Sequence, residues 1–149
     1  MTIHSIVRQA VLVSATAAAA SLAVVNHPLI ASSSGAGSSE LLIINTKTTK
    51  CLTISGGVST ANNVEAVQFD CDSDPSRLWV LTPAGGADVF QIVNVQTRKC
   101  LTIAGGVSTD NNVTALQFGC DTHPSRTWGV VDVTGAGLYQ IRNVQPTNA

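Results

Sequence analysis

Residues 50–79 read KCLTISGGVSTANNVEAVQFDCDSDPSRLW, and residues 99–128 answer them with KCLTIAGGVSTDNNVTALQFGCDTHPSRTW. Cys51 to Cys100, Cys71 to Cys120 and Trp79 to Trp128 are each 49 positions apart. Extended outward, residues 42–90 and 91–139 agree at roughly half of all positions, far above the level for unrelated segments. One unit is written twice, and a third copy begins with QIRNVQPTNA from Gln140.

Inside each copy, short β-rich runs alternate with turn residues, and no ten-residue amphipathic helical pattern occurs. The pattern predicts an all-β domain with strands over Leu41 to Asn45, Cys51 to Ile54, Ala66 to Asp70 and Leu78 to Leu81. Their counterparts are Phe90 to Val95, Cys100 to Ile103, Ala115 to Phe118 and Thr127 to Val131. Gly56-Gly57, Asn62-Asn63, Asp74-Pro75 and His123-Pro124 supply the turns, being residues that break a ladder or tolerate positive φ. A four-stranded unit of this size cannot bury a hydrophobic face alone, so the copies must pack around a shared axis.

The first forty residues differ in composition. After Arg8, the run from Ala10 to Val25 is apolar and Ala-rich, and small residues follow to Ser39. Residues 1–36 are expected to be a secretory signal peptide, cut after Ala36 or near Ala31, with 37–40 as a linker. A membrane anchor is the rival, but the apolar run falls short of the roughly 20 residues a spanning helix needs. The expected location is therefore extracellular, with no membrane contact once the leader is gone. Loss of Arg8 leaves seven Lys and Arg against nine Asp and Glu, a net charge of −2. With no basic patch and few aromatics, nucleic-acid binding is not expected. All four cysteines lie in the repeats, and an oxidising destination favours disulfides. Of three possible pairings the repeat favours Cys51 with Cys71 and Cys100 with Cys120. Zinc is the alternative, but a close C-x-x-C pair is lacking.

The spaced cysteines, with a Trp on the fourth strand, resemble the R-type (ricin B-type) lectin domain. Asn45, Lys50 to Ile54, Val67 to Cys71 and Ser76 to Trp79 carry the resemblance, as do Asn94, Lys99 to Ile103, Leu116 to Cys120 and Ser125 to Trp128. It implies a β-trefoil over residues 41–149, in which three copies of four strands form a barrel and a cap. This chain holds about two of the three repeats, 42–90 and 91–139, and a truncated third from 140. An incomplete trefoil has open strand edges, and self-association as a homo-oligomer is one way to cover them. The resemblance also implies that Trp79 and Trp128 lie buried beneath the cap.

Sugar sites in water combine a flat apolar surface with a few aimed polar groups. Phe69 and Phe118 stand where the family stacks an aromatic ring on the sugar; the competing assignment puts both in the core. Thr53 and Thr102 replace the family's Asp, which accepts hydrogen bonds from a sugar diol, and a hydroxyl accepts more weakly than a carboxylate. Ser76-Arg77 and Ser125-Arg126 replace its Asn-Gln pair. In a functional reading, Asp72 and Asp121 supply carboxylates, Arg77 and Arg126 donate to the ligand, and Asn63 and Asn112 add amide contacts. In a structural reading, Arg77 and Arg126 pair with Asp72 and Asp121 to brace the turn before the fourth strand. The run Asp70, Asp72, Asp74 lacks the Gly of a calcium loop and reads as a solvated acidic turn, so no metal is expected. No cofactor is expected either. His123 is the one histidine beyond the leader and has no nucleophile motif beside it, so no enzyme activity is expected.

The sequence thus predicts a secreted carbohydrate-binding module that binds glycan or polysaccharide weakly at each of several sites. The alternatives are a protein-binding or enzyme-inhibitory β-trefoil without sugar binding, and a non-functional truncated fragment of a larger secreted protein. Modules of the resembled family often accompany secreted glycosidases.

Overall fold

Each cysteine-led run CLTI becomes a strand, because its β-branched Thr and Ile favour the extended backbone and nearly all of its side chains are buried, and it pairs with the run leading to its partner cysteine. A computed structural model describes residues 39–144 and the backbone of Ile6–Arg8. The rest of the expected leader, residues 37 and 38 of the linker and the residues after Val144 lie outside the described residues. In chain order the strands are β1 (Ile6–Arg8), β2 (Glu40–Leu42), β3 (Cys51–Ile54), β4 (Ala66–Phe69), β5 (Leu78–Gly86), β6 (Val89–Asn94), β7 (Cys100–Ile103), β8 (Ala115–Phe118), β9 (Trp128–Asp132) and β10 (Leu138–Asn143). Short 3-10 turns, Pro75–Arg77 and Pro124–Arg126, precede β5 and β9.

The cap hairpins are β3–β4, in register Cys51↔Phe69, and β7–β8, in register Cys100↔Phe118. Each is stapled by its own disulfide, Cys51–Cys71 and Cys100–Cys120, with a Cα separation of 5.1 Å in both. The barrel strands follow the antiparallel order β1-β10-β9-β6-β5-β2. Residues 49 apart come together as layers around one axis: Ile43, Ile92 and Ile141 are all buried in one core with Trp79 and Trp128. Both indoles are fully buried, and their N–H groups donate to Leu52 O at 2.9 Å and Leu101 O at 2.8 Å, tying the fourth strand to the cap. This is a β-trefoil arrangement.

The expected strands form with small shifts. Two differences have local causes: β5 extends to Gly86 because its hairpin with β6 continues past the expected end, and β2 stops at Leu42, with Ile44 making only a bridge to Cys51. Two kinds of contact join neighbouring sectors. Asn94 donates from Nδ2 to Ser76 O at 2.8 Å in the preceding copy, and Asn143 repeats this with Ser125 O at 2.7 Å. The loop after β3 in the first copy clamps β8 of the second: Gln117 Nε2 donates to Ser59 O at 2.8 Å and Ala61 O at 2.6 Å, and Asn62 Oδ1 accepts from Gly119 N–H at 3.0 Å.

Of the third sector, the described residues supply its first strand, β10, paired with β9. On the other edge of β10 lies Ile6–Arg8, with Val7 opposite Tyr139. That is the register of Trp79 opposite Leu41 and of Trp128 opposite Phe90, so this backbone takes the place of a fourth strand.

Candidate functional site

The candidate residues converge where the cap hairpin meets the 3-10 turn. In the first copy Pro75 presets the turn, and Asp74 caps it by accepting the Ser76 N–H at 2.9 Å. In the second, His123 Nδ1 takes that role at 3.2 Å. The turn pushes Ser76 and Ser125 inward until each is 1% exposed. There Thr53 Oγ1 donates to Ser76 O at 2.9 Å and lies 3.1 Å from Ser76 Oγ; Thr102 makes the same pair of contacts with Ser125, at 3.1 Å each. Gly57, at φ 74°, closes over this pair, and a Cβ at that position would stand 3.3 Å from Ser76 Oγ. Thr53, Ser76, Thr102 and Ser125 therefore form the floor of each site, with their hydroxyls bonded internally.

The rim is built on arginine. Arg77 Nε donates to Asp70 O at 3.0 Å and lies 3.2 Å from Asp72 Oδ1, while Nη1 lies 3.3 Å from Asp74 Oδ1. Arg126 is held the same way, by Gly119 O at 3.1 Å and Asp121 at 3.2 Å. Both arginines thus make the bracing contacts of the structural reading. Each guanidinium also sits over a phenylalanine ring, 4.6 Å from Phe69 and 4.4 Å from Phe118. The rings stay outside the core cluster: Phe69 is 53% exposed and Phe118 half-buried. The assignment of both rings to the core is thereby corrected, because each lies on the outer side of its hairpin beneath an arginine.

The acidic turn is committed to neighbours. Asp70 pairs with Lys50, whose hydrogen bond and charge hold its carboxyl below the ordinary aspartate value. Asp72 accepts the Asp74 N–H at 2.9 Å, and Asp74 is also held low, by its bonds from Ser76. Asn63 and Asn112 both adopt the left-handed region, at φ 65° and 64°, and sit exposed in the loops after β3 and β7. They do not join the hydrogen-bond network of the rim. The inter-sector roles of Asn94, Asn143 and Gln117 escaped the sequence reading, although the recurrence of Asn at 45, 94 and 143 was the signal for one of them.

Two disulfide-stapled copies with a sealed hydroxyl floor, an arginine-on-phenylalanine rim and a buried Trp can be compared with known proteins. A family profile described as ricin-type beta-trefoil lectin domain-like matches residues 30–117 and, overlapping them, 85–148. The chain belongs to that family. No curated protein matches this lectin-like domain in sequence. Among solved structures, a designed 3-fold symmetric protein, ThreeFoil, superposes with a TM-score of 0.65 at 19% identity, over 70% of this chain and 72% of that one. An exo-β-1,3-galactanase from Clostridium thermocellum gives 0.62 at 26% identity, over 68% of this chain and 21% of the other. A Polyporus squamosus lectin, solved with a human-type influenza-binding epitope, gives 0.51 at 19% identity, over 63% and 32%. The lectin-like domain thus spans a fifth of the galactanase chain and a third of that lectin.

Proposed function

We propose that this chain is a secreted, non-catalytic carbohydrate-binding module that engages glycan at two equivalent surface sites, each too weak to serve alone. The observation that carries the reading is the pair of phenylalanine rings, each fixed on one side by an arginine while the ring remains accessible to solvent. A ring held in this way can stack on a sugar face with little loss of side-chain entropy. Asp72 and Asp121 spend Oδ1 on the turn and on the arginine, and their Oδ2 atoms supply acceptors for hydroxyls beside the ring. The floor hydroxyls contribute little directly, since Thr53 and Thr102 already spend theirs on Ser76 and Ser125. Affinity then rests on stacking, and two sites on one rigid frame raise it through effective concentration.

A glycan array with the secreted protein, followed by titration calorimetry on any ligand found, tests this reading. Phe69→Ala and Phe118→Ala should each weaken binding, and the double variant should abolish it. The sealed floor favours a second reading, a protein-binding or enzyme-inhibitory β-trefoil, because the family's carboxylate position has become internal structure. A blank array, with capture of a partner enzyme that survives both Phe substitutions, would establish that reading instead.

A further inference from the structure

We infer that the site of the second copy takes an acidic sugar, one that carries a carboxylate or a sulfate ester, and that the site of the first copy disfavours it. The inference rests on the carbohydrate reading and adds a ligand class to it. It starts from two rims that match in position and differ in charge. Around the phenylalanine ring the first copy places Lys50, Asp70, Asp72, Asp74 and Arg77, and the second places Lys99, Gly119, Asp121, His123 and Arg126 at the same five positions. Two cations meet three carboxylates in the first set, a net charge of −1. Two cations meet one carboxylate in the second, a net charge of +1 with the imidazole neutral.

The pairing puts the excess on different groups. In the first copy Lys50 bonds to Asp70, next to Phe69, and Arg77 lies between Asp72 and Asp74 at 3.2 and 3.3 Å, so the surplus is a carboxylate. In the second, Arg126 and Asp121 satisfy each other at 3.2 Å, while Gly119 removes the partner that Lys99 would have. The Lys99 ammonium makes no hydrogen bond or ion pair among the described residues. Its stem starts next to Cys100, which stands opposite Phe118 in the hairpin, so the surplus here is a cation beside the ring-bearing strand.

His123 carries the same contrast into the hydrogen bonding. Ser125 Oγ accepts from Thr102 Oγ1 and Arg126 Nη1, each at 3.1 Å, so its own hydrogen goes to His123 Nδ1 at 2.8 Å. The Ser125 N–H is directed at the same nitrogen. Nδ1 is therefore the acceptor, and Nε2 carries the ring hydrogen. That N–H has no partner among the described residues, on a side chain that is exposed. At the matching place in the first copy, Asp74 spends Oδ1 on the Ser76 N–H and keeps Oδ2 for the ligand. An anionic oxygen on the sugar thus meets a donor and an unpaired ammonium in the second site, and a carboxylate in the first. Hydrogen bonds to an ionised acceptor are about twice as strong as neutral ones, and facing like charges oppose binding.

An array that sets acidic glycans beside their neutral forms, uronic acids with their methyl esters and sulfated sugars with the desulfated ones, tests this at low salt. The parent chain should prefer the acidic members, and whether uronic or sulfated sugars carry the signal names the anion. Gly119→Asp with His123→Asp gives the second rim the residues of the first, and a Cβ at position 119 meets nothing within 4 Å. This exchange should weaken binding of the acidic members about fivefold and leave the neutral ones unchanged. The reverse exchange, Asp70→Gly with Asp74→His, should strengthen acidic binding. Phe118→Ala leaves every charge in place and should also lose the acidic members, which a general attraction to the surface would retain. Binding that ignores the charge of the sugar, or an acidic preference that survives the first exchange or the loss of Phe118, would overturn the inference and leave the carbohydrate reading standing. A blank array with the parent chain would remove both.

Discussion

The two cap hairpins carry nearly the same sequence and live in different surroundings. In β8, Ala115 and Gln117 are buried, while in β4 their counterparts Ala66 and Gln68 are half-buried and exposed. The cause is the clamping loop, which lies over β8 and has no described counterpart over β4. Equal sequence therefore does not confer equal burial; position in the three-fold arrangement does. The rim arginines lie outside the loop's reach and show no such contrast, the side chains of Arg77 and Arg126 being 12% and 9% exposed.

If the common core treats the copies alike, its residues should cost alike. Trp79→Ala and Trp128→Ala should each destabilise by about 3–5 kcal/mol in denaturant titrations, since both indoles are fully buried and hydrogen-bonded. A markedly cheaper Trp79 would show that the first copy is held more loosely than its burial implies. Opening one disulfide by paired Cys→Ser exchange should cost about 2–4 kcal/mol in either copy, because the closed loops are the same length.

The sharpest contrast should come from the two glutamines. Gln117→Ala strips two loop carbonyls of their donor and should cost about 1–3 kcal/mol. Gln68→Ala should stay within about 0.5 kcal/mol of the parent by the same titration. Equal losses would mean that β4 is covered as β8 is.

The smallest effect concerns the caps. The Asp74 carboxyl is held below its ordinary value, so its contribution is present above the unfolded value of 3.8 and disappears as the pH falls through the folded one. Melting temperatures should separate the parent from Asp74→Asn at neutral pH and converge in strong acid. A difference that persists at pH 2 would assign the effect to something other than the carboxylate.

Much of this was legible beforehand. Local alternation and the period of 49 residues located the strands and the disulfide partners, because each is set by neighbouring residues or by a recurring position, and the family resemblance implied the buried tryptophans. The site was legible only in outline. Thr53 looked like a weakened ligand residue, yet the inward 3-10 turn at Pro75 brings Ser76 against it and makes it floor. Phe69 could equally have been core, and only the guanidinium above the ring fixed it outside. Gln117 looked like any polar strand residue, since the loop that buries it lies nearly sixty positions earlier in the chain.

Taken alone, the sequence determined that this protein is all-β, duplicated and stapled within each copy, because hydrophobic period and cysteine spacing are properties of neighbouring residues. Which of two identical side chains is buried and which hydroxyls remain for a ligand were decided by tertiary structure. Those outcomes depend on what the third sector of the barrel places against each copy, and a repeat carries no record of its own position around the axis.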